Sequence, residues 1–225
     1  ESWETDPDAA TITFHLRSGV KFSDGTDFNA EAVKWNIEQY QSAGRTEVGS
    51  VASIDCPDEN TVVINLEAWS SSALESIGFF VYYMSPTAFE ENGGADWARF
   101  NAVGTGPFIM KSFEQGVGVT YEKNPNYWEE GKPYLDGVEF SIISEPTTLE
   151  NALTAGEIDL ISYASIDNLK NLEATGNFVR ESNENGMGVE TVGVIPNSDD
   201  ESSPFYDAKV RQAFCYAIDA DTIVD

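Results

Sequence analysis

Carboxylates are the main candidate catalytic groups in this sequence, because its 225 residues include 39 Asp and Glu but a single histidine, His15. His15 alternates with apolar residues in TITFHLR, on the polar side of a predicted strand. With one histidine, a Ser-His-Asp triad would need a residue from outside this sequence. A glycoside hydrolase needs two carboxyl groups that face each other across a cleft, one of them with a raised pKa. The sequence singles out no such pair, so this enzyme class stays open as an alternative.

Metal and cofactor chemistry has little support in the sequence. Cys56 and Cys215 lie far apart, and neither has a CxxC partner or a neighbouring histidine. The segment GTGPF lacks the lysine and the spacing of a phosphate-binding loop, and it precedes a predicted strand rather than a helix. We therefore expect no metal site and no cofactor, and whether the two cysteines form a disulfide stays open.

The charge of the chain is strongly negative, with 39 acidic against 12 basic residues and a formal net charge of -27. Such a surface repels phosphate backbones and anionic lipids, which argues against nucleic acid or a membrane surface as a partner. It keeps a protein soluble, and it also suits a high-salt habitat. The hydrophobic share of 41% is enough to build a substantial core.

Periodicity predicts a mixture of strands and helices. TITFHLR alternates as a half-buried strand, and a helix over Ala30–Tyr40 is predicted to begin at the cap Asn29. VASIDCPDENTVVINL is typical of a hairpin, and GTGPFIMKSFEQGVGVTYEKN of a second strand pair. Further predictions are a short helix capped by Ser85 and strands at GVEFSII, IDLI, NFVRE and VETVGVI. Helices are predicted over PTTLENALTA, which Gly156 ends, over residues 166–174 and over DAKVRQAFCYAI, whose predicted buried stripe is Val210, Phe214, Ala217 and Ile218. Because the order is not strictly βαβ, the predicted fold class is α/β in the mixed α+β sense.

The densest group of aromatic residues is FFVYYM, residues 79–84. Alternate side chains of a strand point to opposite faces, so we expect Phe79 on the same face as Val81 and Tyr83. Core packing on both faces is the favoured interpretation, and the alternative is that one face packs in the core while the other lines a cleft. A second aromatic group, NPNYWEEGKPYLDGVEF, is rich in turn residues, which favours structural packing over ligand contact for Tyr127, Trp128 and Tyr134.

Four stretches, in this order, resemble the family 5 extracellular solute-binding proteins, which are the peptide- and nickel-binding components of ABC transporters. They are TITFHLRSGVKFSDGTDFNAEAVKWNIEQY, VGTGPFIMKSFEQGVGVTYEKNPNYWEEGKPYLDGVEFSII, LENALTAGEIDLI and SPFYDAKVRQAFCYAIDADTIV. Together they cover nearly the whole chain. The resemblance implies a periplasmic-binding-protein-like fold, a two-lobed clamp in which a hinge closes over a ligand.

The resemblance further implies that this chain is one lobe of such a clamp, truncated at both ends. Residues 10–140 are expected to form the first lobe with its extra subdomain, and residues 136–225 to return to the sheet near the hinge. The implied partners are a small peptide or other oligomeric solute and the ABC permease subunits, without enzymatic chemistry. The implied location is the periplasm, or the outer surface of a single-membrane bacterium, with a lipid anchor outside these residues as the link to the membrane.

The resemblance also selects the candidate binding residues, since SSSALESIGFFVYYM corresponds to a region that faces ligand and VETVGVIPN to the cleft floor and hinge. The predicted ligand contacts are Phe79, Phe80, Tyr82, Thr191, Val192 and Asn197. Relatives that bind nickel chelates use arginine near the first segment, whereas this sequence has no arginine between Arg45 and Arg99. Peptides are therefore the expected ligands. An oligosaccharide is the alternative within the family, and a surface that binds proteins through exposed edges is a further one.

Overall fold

The computed structural model describes residues 1–162, 164–181 and 196–219. The chain divides into two units, Glu1–Ser162 and residues 163–225. The described residues form both strands and helices, which confirms the mixed α/β class predicted from the sequence. No helix in that part is long and apolar enough to cross a membrane.

The first unit begins with a four-stranded antiparallel sheet. Its strands are β1 (Ser2–Asp6), β2 (Thr11–His15), β3 (Val51–Asp58) and β4 (Thr61–Leu66). The spatial order is β1-β2-β4-β3, so β2 and β4 form the centre of the sheet. There Ile12 pairs with Ile64, and both side chains are fully buried. The predicted alternation in β2 and the predicted β3–β4 hairpin are both confirmed.

Helix α1 (Ala30–Ser42) packs on this sheet. The Asn29 side chain accepts a hydrogen bond of 2.9 Å from a backbone N–H in the first turn, which confirms the predicted cap. Val33 and Ile37 on the apolar stripe of the helix are buried in one core with the central strands. Each such side chain is stabilised by roughly 1.5–3 kcal/mol when it is removed from water.

Three short helices follow the first sheet along the chain and precede the second one. They are α2 (Ser71–Glu75), α3 (Pro86–Glu91) and α4 (Ala95–Ala98). The Ser85 hydroxyl accepts a hydrogen bond of 3.1 Å from the N–H of Ala88, which confirms this residue as the cap of α3. Helix α2 continues into one π-helical turn, Ser76–Phe80, and the chain then runs extended from residue 81 to the cap.

The second sheet of the first unit is antiparallel, with the spatial order β5-β6-β7. Its strands are β5 (Phe108–Glu114), β6 (Gly118–Lys123) and β7 (Gly137–Ser141). The first two form a hairpin whose turn contains Gly116, with a φ of 78° that suits glycine. This confirms the second predicted strand pair and the predicted strand in GVEFSII.

The NPNYW corner between β6 and β7 is held by polar and aromatic contacts. Asn124 is 2% exposed; its amide donates to the Gly106 carbonyl at 2.9 Å, and its backbone N–H donates to the Pro107 carbonyl at 2.8 Å. The Arg17 guanidinium lies 4.5 Å from the centre of the Trp128 ring, a cation–π contact. The corner is thus tied to GTGPF and to the chain just after β2, as expected of a structural corner. The packing predicted for Tyr134, later in the same stretch, is wrong, because its side chain is 85% exposed.

Two predicted strands are wrong. Helix α5 (Pro146–Ala155) ends at Gly156 as predicted, but residues 158–161 form no strand, and neither do residues 177–181. Both runs are short, and a strand exists only where a neighbouring strand pairs with it, so β propensity alone was a poor guide. The predicted strand VETVGVI lies outside the described residues.

The second unit is described as two helices, α6 (Ile166–Ala174) and α7 (Ala208–Ala217), which confirms both predicted helices. The predicted buried stripe of α7 is wrong, because Val210 is 37% exposed and Ile218 is 39% exposed. In the described part of this unit, α7 packs on the short turn that precedes it, where the ring centroid of Phe214 lies 5.5 Å from that of a neighbouring phenylalanine. A single turn is too short to cover the whole face of a ten-residue helix.

Candidate functional site

Three exposed aromatic side chains mark the candidate site in the first unit. Phe79 is 68% exposed, Phe80 is 47% exposed and Tyr82 is 76% exposed. The rings of Phe79 and Phe80 meet edge to face, with centroids 5.0 Å apart, at the end of the π-helical turn. We call these three residues the aromatic rim. Such a surface is suited to stacking and apolar contact with a ligand.

The strand alternation predicted for this segment is wrong for Phe79. In a strand, Phe79 would share a face with Ile77, two residues earlier, which is 1% exposed. In the helical turn the two side chains point in different directions, and Phe79 faces solvent. From Val81 onward the backbone is extended and the prediction is confirmed: Val81 is 4% exposed, and the Tyr83 ring lies edge to face on Phe28. All three rim side chains are therefore exposed, so the prediction that both faces of this segment pack in the core is wrong, and so is the assignment of Phe79 to the core face.

Tyr83 fixes the turn that carries the rim. Its hydroxyl donates a hydrogen bond of 3.3 Å to the carbonyl of Ile77. Burial raises the pKa of Tyr83 above its ordinary value, and the nearby Tyr40 adds to this. The hydroxyl thus stays protonated at neutral pH and remains a donor.

Helix α1 holds the extended segment through side chains rather than through a β ladder. Asn36, which is 3% exposed, donates its amide to the Met84 carbonyl at 2.9 Å and accepts from the Met84 N–H at 3.0 Å. The same amide donates to the Ala32 carbonyl at 2.8 Å. One turn further along, the Tyr40 hydroxyl accepts from the N–H of Tyr82 at 3.1 Å. The segment thereby gains the hydrogen-bond partners that a neighbouring strand would supply.

The turn Asp24-Gly25-Thr26 braces the far end of this segment. Asp24 Oδ1 accepts hydrogen bonds from the Thr26 N–H at 2.9 Å and from its hydroxyl at 2.6 Å, and that hydroxyl lies 3.1 Å from the hydroxyl of Ser85. Burial raises the pKa of Asp24, but hydrogen bonds from Ser85 and Thr26 outweigh it and leave the pKa below its ordinary value of 3.8.

We expect Asp24→Asn to lower stability at neutral pH and to have less effect in acid. A carboxyl whose pKa is lower in the folded state stabilises the fold above its unfolded-state pKa, and this contribution is lost as the pH falls through the folded-state pKa. Urea unfolding of both proteins at about pH 7 and about pH 2.5 measures the difference. A difference between wild type and variant that is as large in acid as at neutral pH would contradict the expectation.

A cavity of about 700 Å³ lies beside the rim. Its walls come from α1, Phe89 of α3, helix α4 and residues 101–104. The rings of Trp35 and Phe89 form one aromatic wall, with centroids 5.1 Å apart and edge-to-face geometry. Tyr82 lines the cavity and is largely exposed, so the cavity opens at the rim. Its volume is in the range of small-molecule pockets.

The remaining predicted contacts belong to the second unit. Thr191 and Val192 lie outside the described residues. Asn197 is exposed, and its amide donates to the Asp200 carboxylate at 3.4 Å. Their part in ligand binding stays a prediction, as does that of the rim.

Metal and carboxylate chemistry gains no candidate from the geometry. Among the described residues, no group of three or more His, Cys, Asp and Glu side chains is placed to hold a metal ion, and Cys56 and Cys215 are free thiols. The pKa of Asp58 is lowered by the backbone N–H two residues on, and the pKa of Asp200 by the hydroxyl two residues on. A glycosidase acid needs a raised pKa, so neither carboxyl fits that role.

Sequence reasoning missed the residues that support the rim. Asn36 lies on the apolar stripe of α1, next to Ile37 and between Val33 and Tyr40. A polar residue on a buried stripe must find hydrogen-bond partners, and this signal could have identified it. No such sequence pattern marks Arg45 or the residues of α4 as part of the cavity.

The fold is that of the periplasmic binding proteins. NikA from Brucella suis, solved in complex with Fe(III)-EDTA, matches with a TM-score of 0.73 and 30% identity, covering 100% of this chain and 46% of that one. The ABC transporter-associated periplasmic binding protein DppA from Helicobacter pylori, solved in complex with the peptide STSA, matches with a TM-score of 0.66 and 26% identity. That match covers 77% of this chain and 39% of DppA.

The chain belongs to the bacterial extracellular solute-binding proteins, family 5, whose middle-region model matches residues 1–225. This confirms the resemblance found in the sequence. Heme-binding protein A of Haemophilus influenzae is 29% identical over 251 residues, and the glutathione-binding protein GsiB of Shigella flexneri is 30% identical over 236 residues. Both alignments include 100% of this chain but only 45% and 44% of the relatives, so the chain spans less than half of their length.

Proposed function

We propose that this chain supplies part of the ligand-binding face of an ABC importer's solute-binding protein, which captures short peptides outside the membrane and delivers them to the permease. The observation that carries the proposal is the aromatic rim, because three neighbouring aromatic side chains are exposed on a segment whose backbone is hydrogen-bonded by side chains at residues 77, 82 and 84. Exposing apolar rings to water is unfavourable, so a surface built to do so is suited to a partner that covers them.

Peptides fit this rim better than the other ligands of related proteins. GsiB binds glutathione, which is a tripeptide, and DppA was solved with a bound peptide. A peptide offers backbone groups for hydrogen bonds and side chains for apolar contact. Heme and Fe(III)-EDTA, the ligands named for two other relatives, are the competitors to test, together with oligosaccharides. No turnover of any of these ligands is expected.

The proposal includes the wider organisation of the protein. Residues 10–140 would form the first lobe with its extra subdomain, and residues 136–225 would return toward the hinge, where Thr191, Val192 and Asn197 would complete the site. The protein would work in the periplasm, or at the outer surface through a lipid anchor. A hinge that closes over the bound peptide would produce the form recognised by the permease.

We expect Tyr82→Ala to weaken peptide binding by the full-length protein about fivefold to thirtyfold, as for an exposed aromatic anchor that ligand buries. Isothermal titration calorimetry with a panel of tripeptides and tetrapeptides measures this. Hemin, Fe(III)-EDTA and malto-oligosaccharides are titrated in parallel to identify the ligand class.

Tyr134→Ala is the matched control for this experiment. Tyr134 is 85% exposed in the same unit but belongs to the loop after the NPNYW corner, away from the rim in sequence, and its loss should leave affinity unchanged. Binding of sugars or metal chelates with no peptide binding would overturn the proposal. Equal effects of the two tyrosine variants would remove the rim from the site.

A further inference from the structure

The cavity beside the rim is free of acidic groups, although the chain carries 39 of them. The residues that line it include no Asp or Glu, whereas Arg45 supplies a cation. The other walls are largely apolar, with the Trp35–Phe89 pair on one side and Ala95 and Ala98 of α4 on another. In a protein with a net charge of -27, an anionic group meets less repulsion in an acid-free cavity than beside acidic residues, and the apolar walls suit an apolar group.

Arg45 has donors available for a second carboxylate. Its side chain is 58% exposed, and its Nη2 atom contacts Glu47 Oε1 at 2.5 Å. A guanidinium group carries five N–H donors, and one contact of this kind leaves the others able to bind a further acceptor. Glu47 does not line the cavity, so the positive end of the pair is the part that faces it.

We propose that this cavity is a subsite for the carboxyl-terminal residue of the bound peptide, with its apolar side chain between Trp35 and α4 and its carboxylate at Arg45. This rests on the proposed function and adds a specificity to it. The carboxyl-terminal residue is the one part of a peptide that combines an apolar group with a negative charge. Tyr82 belongs both to the rim and to the cavity lining, so a peptide that stacks on the rim is within reach of the cavity.

The subsite predicts a preference that calorimetry of the full-length protein can measure with three tripeptides: Ala-Ala-Phe, Ala-Ala-Gly and Ala-Ala-Phe amide. Burial of the phenylalanine ring should make Ala-Ala-Phe bind about tenfold to a hundredfold more tightly than Ala-Ala-Gly. Amidation removes the charge of the peptide carboxylate that would pair with the half-exposed Arg45, and it should weaken binding about twofold to fivefold.

Ala95→Trp tests the location of the subsite, because Ala95 is exposed at the start of α4 and lines the cavity. A tryptophan there should fill the space and reduce the preference for phenylalanine over glycine to less than about threefold. Ala102→Trp, at a second exposed alanine of the lining, repeats the test from outside any helix. The matched control is Ala155→Trp, at an exposed helical alanine of the same unit that does not line the cavity, and it should keep the preference.

The outcomes separate this inference from the function on which it rests. If the wild type binds all three tripeptides alike, or if both filled-cavity variants fold and keep the full preference, the subsite is wrong while peptide capture stands. If no peptide binds the wild type, the proposed function itself fails. Thermal unfolding of each variant shows that it is folded before its affinity is compared.

Discussion

Phe22→Ala is expected to lower the free energy of unfolding by about 3–5 kcal/mol, the range measured when a buried phenylalanine is truncated. Phe22 is 1% exposed. Its ring meets Phe28 edge to face at 5.6 Å, and Phe28 in turn meets Tyr83 at 6.1 Å. Truncation would therefore leave a cavity and also remove the support beneath the tyrosine that holds the rim's helical turn. Urea-induced unfolding at 25 °C, followed by tryptophan fluorescence, measures the loss.

Two further variants separate the effect of packing from that of losing any aromatic ring. Phe22→Leu keeps most of the volume and should cost less than about 1.5 kcal/mol. Phe140→Ala truncates a side chain that is 54% exposed on β7 and should cost well under half as much as Phe22→Ala. A loss for Phe22→Ala no greater than that for Phe140→Ala would show that the ring is not part of the core.

Asn36→Ala is the second large effect, with an expected loss of about 2–4 kcal/mol. The variant would leave the N–H and the carbonyl of Met84 and the carbonyl of Ala32 without their present side-chain partner. Unpaired polar groups at a buried site cost more than the hydrogen bonds themselves contribute. Peptide affinity of the full-length protein should fall as well, because the extended segment positions Tyr82. Urea unfolding and calorimetry measure the two effects.

Asn65→Ala provides the control for this substitution. The Asn65 amide also donates twice, to Ser53 at 3.0 Å and to Asp55 at 2.9 Å, but these partners are exposed. Water replaces a lost partner at an exposed site, so this variant should cost less than about 0.5 kcal/mol. Asn36→Asp keeps the shape of the side chain but loses both amide donors, so we expect it to lower the free energy of unfolding as much as Asn36→Ala does. Stability close to wild type in Asn36→Asp would argue against the assigned hydrogen bonds.

Local signals in the sequence predict much of the fold because their causes are local. The Asn29 cap, the helix that follows it and the hairpin of β5 and β6 each depend on residues a few positions apart, and each is confirmed. The strands predicted at 158–161 and 177–181 are not formed, because a strand requires a neighbouring strand to pair with, and local β propensity does not reveal whether one is present.

For the candidate site, the sequence supplied candidate residues but not their arrangement. The family resemblance selected Phe79, Phe80 and Tyr82, and all three are exposed. The side on which Phe79 lies depends on one π-helical turn, a rare element without a clear sequence signature. The support from Asn36 joins residues 48 positions apart, which no periodicity can reveal.

The way the extended segment is held leaves the side chains of the rim free to vary. Asn36 and Tyr40 form hydrogen bonds to the main chain at residues 84 and 82. Main-chain N–H and carbonyl groups are the same for every amino acid except proline, which has no N–H. The side chains displayed at the rim can therefore be exchanged without disturbing the bonds that hold them in place. A library randomised at Phe79, Phe80 and Tyr82 should yield mostly folded proteins, and new ligands could be selected on an unchanged scaffold.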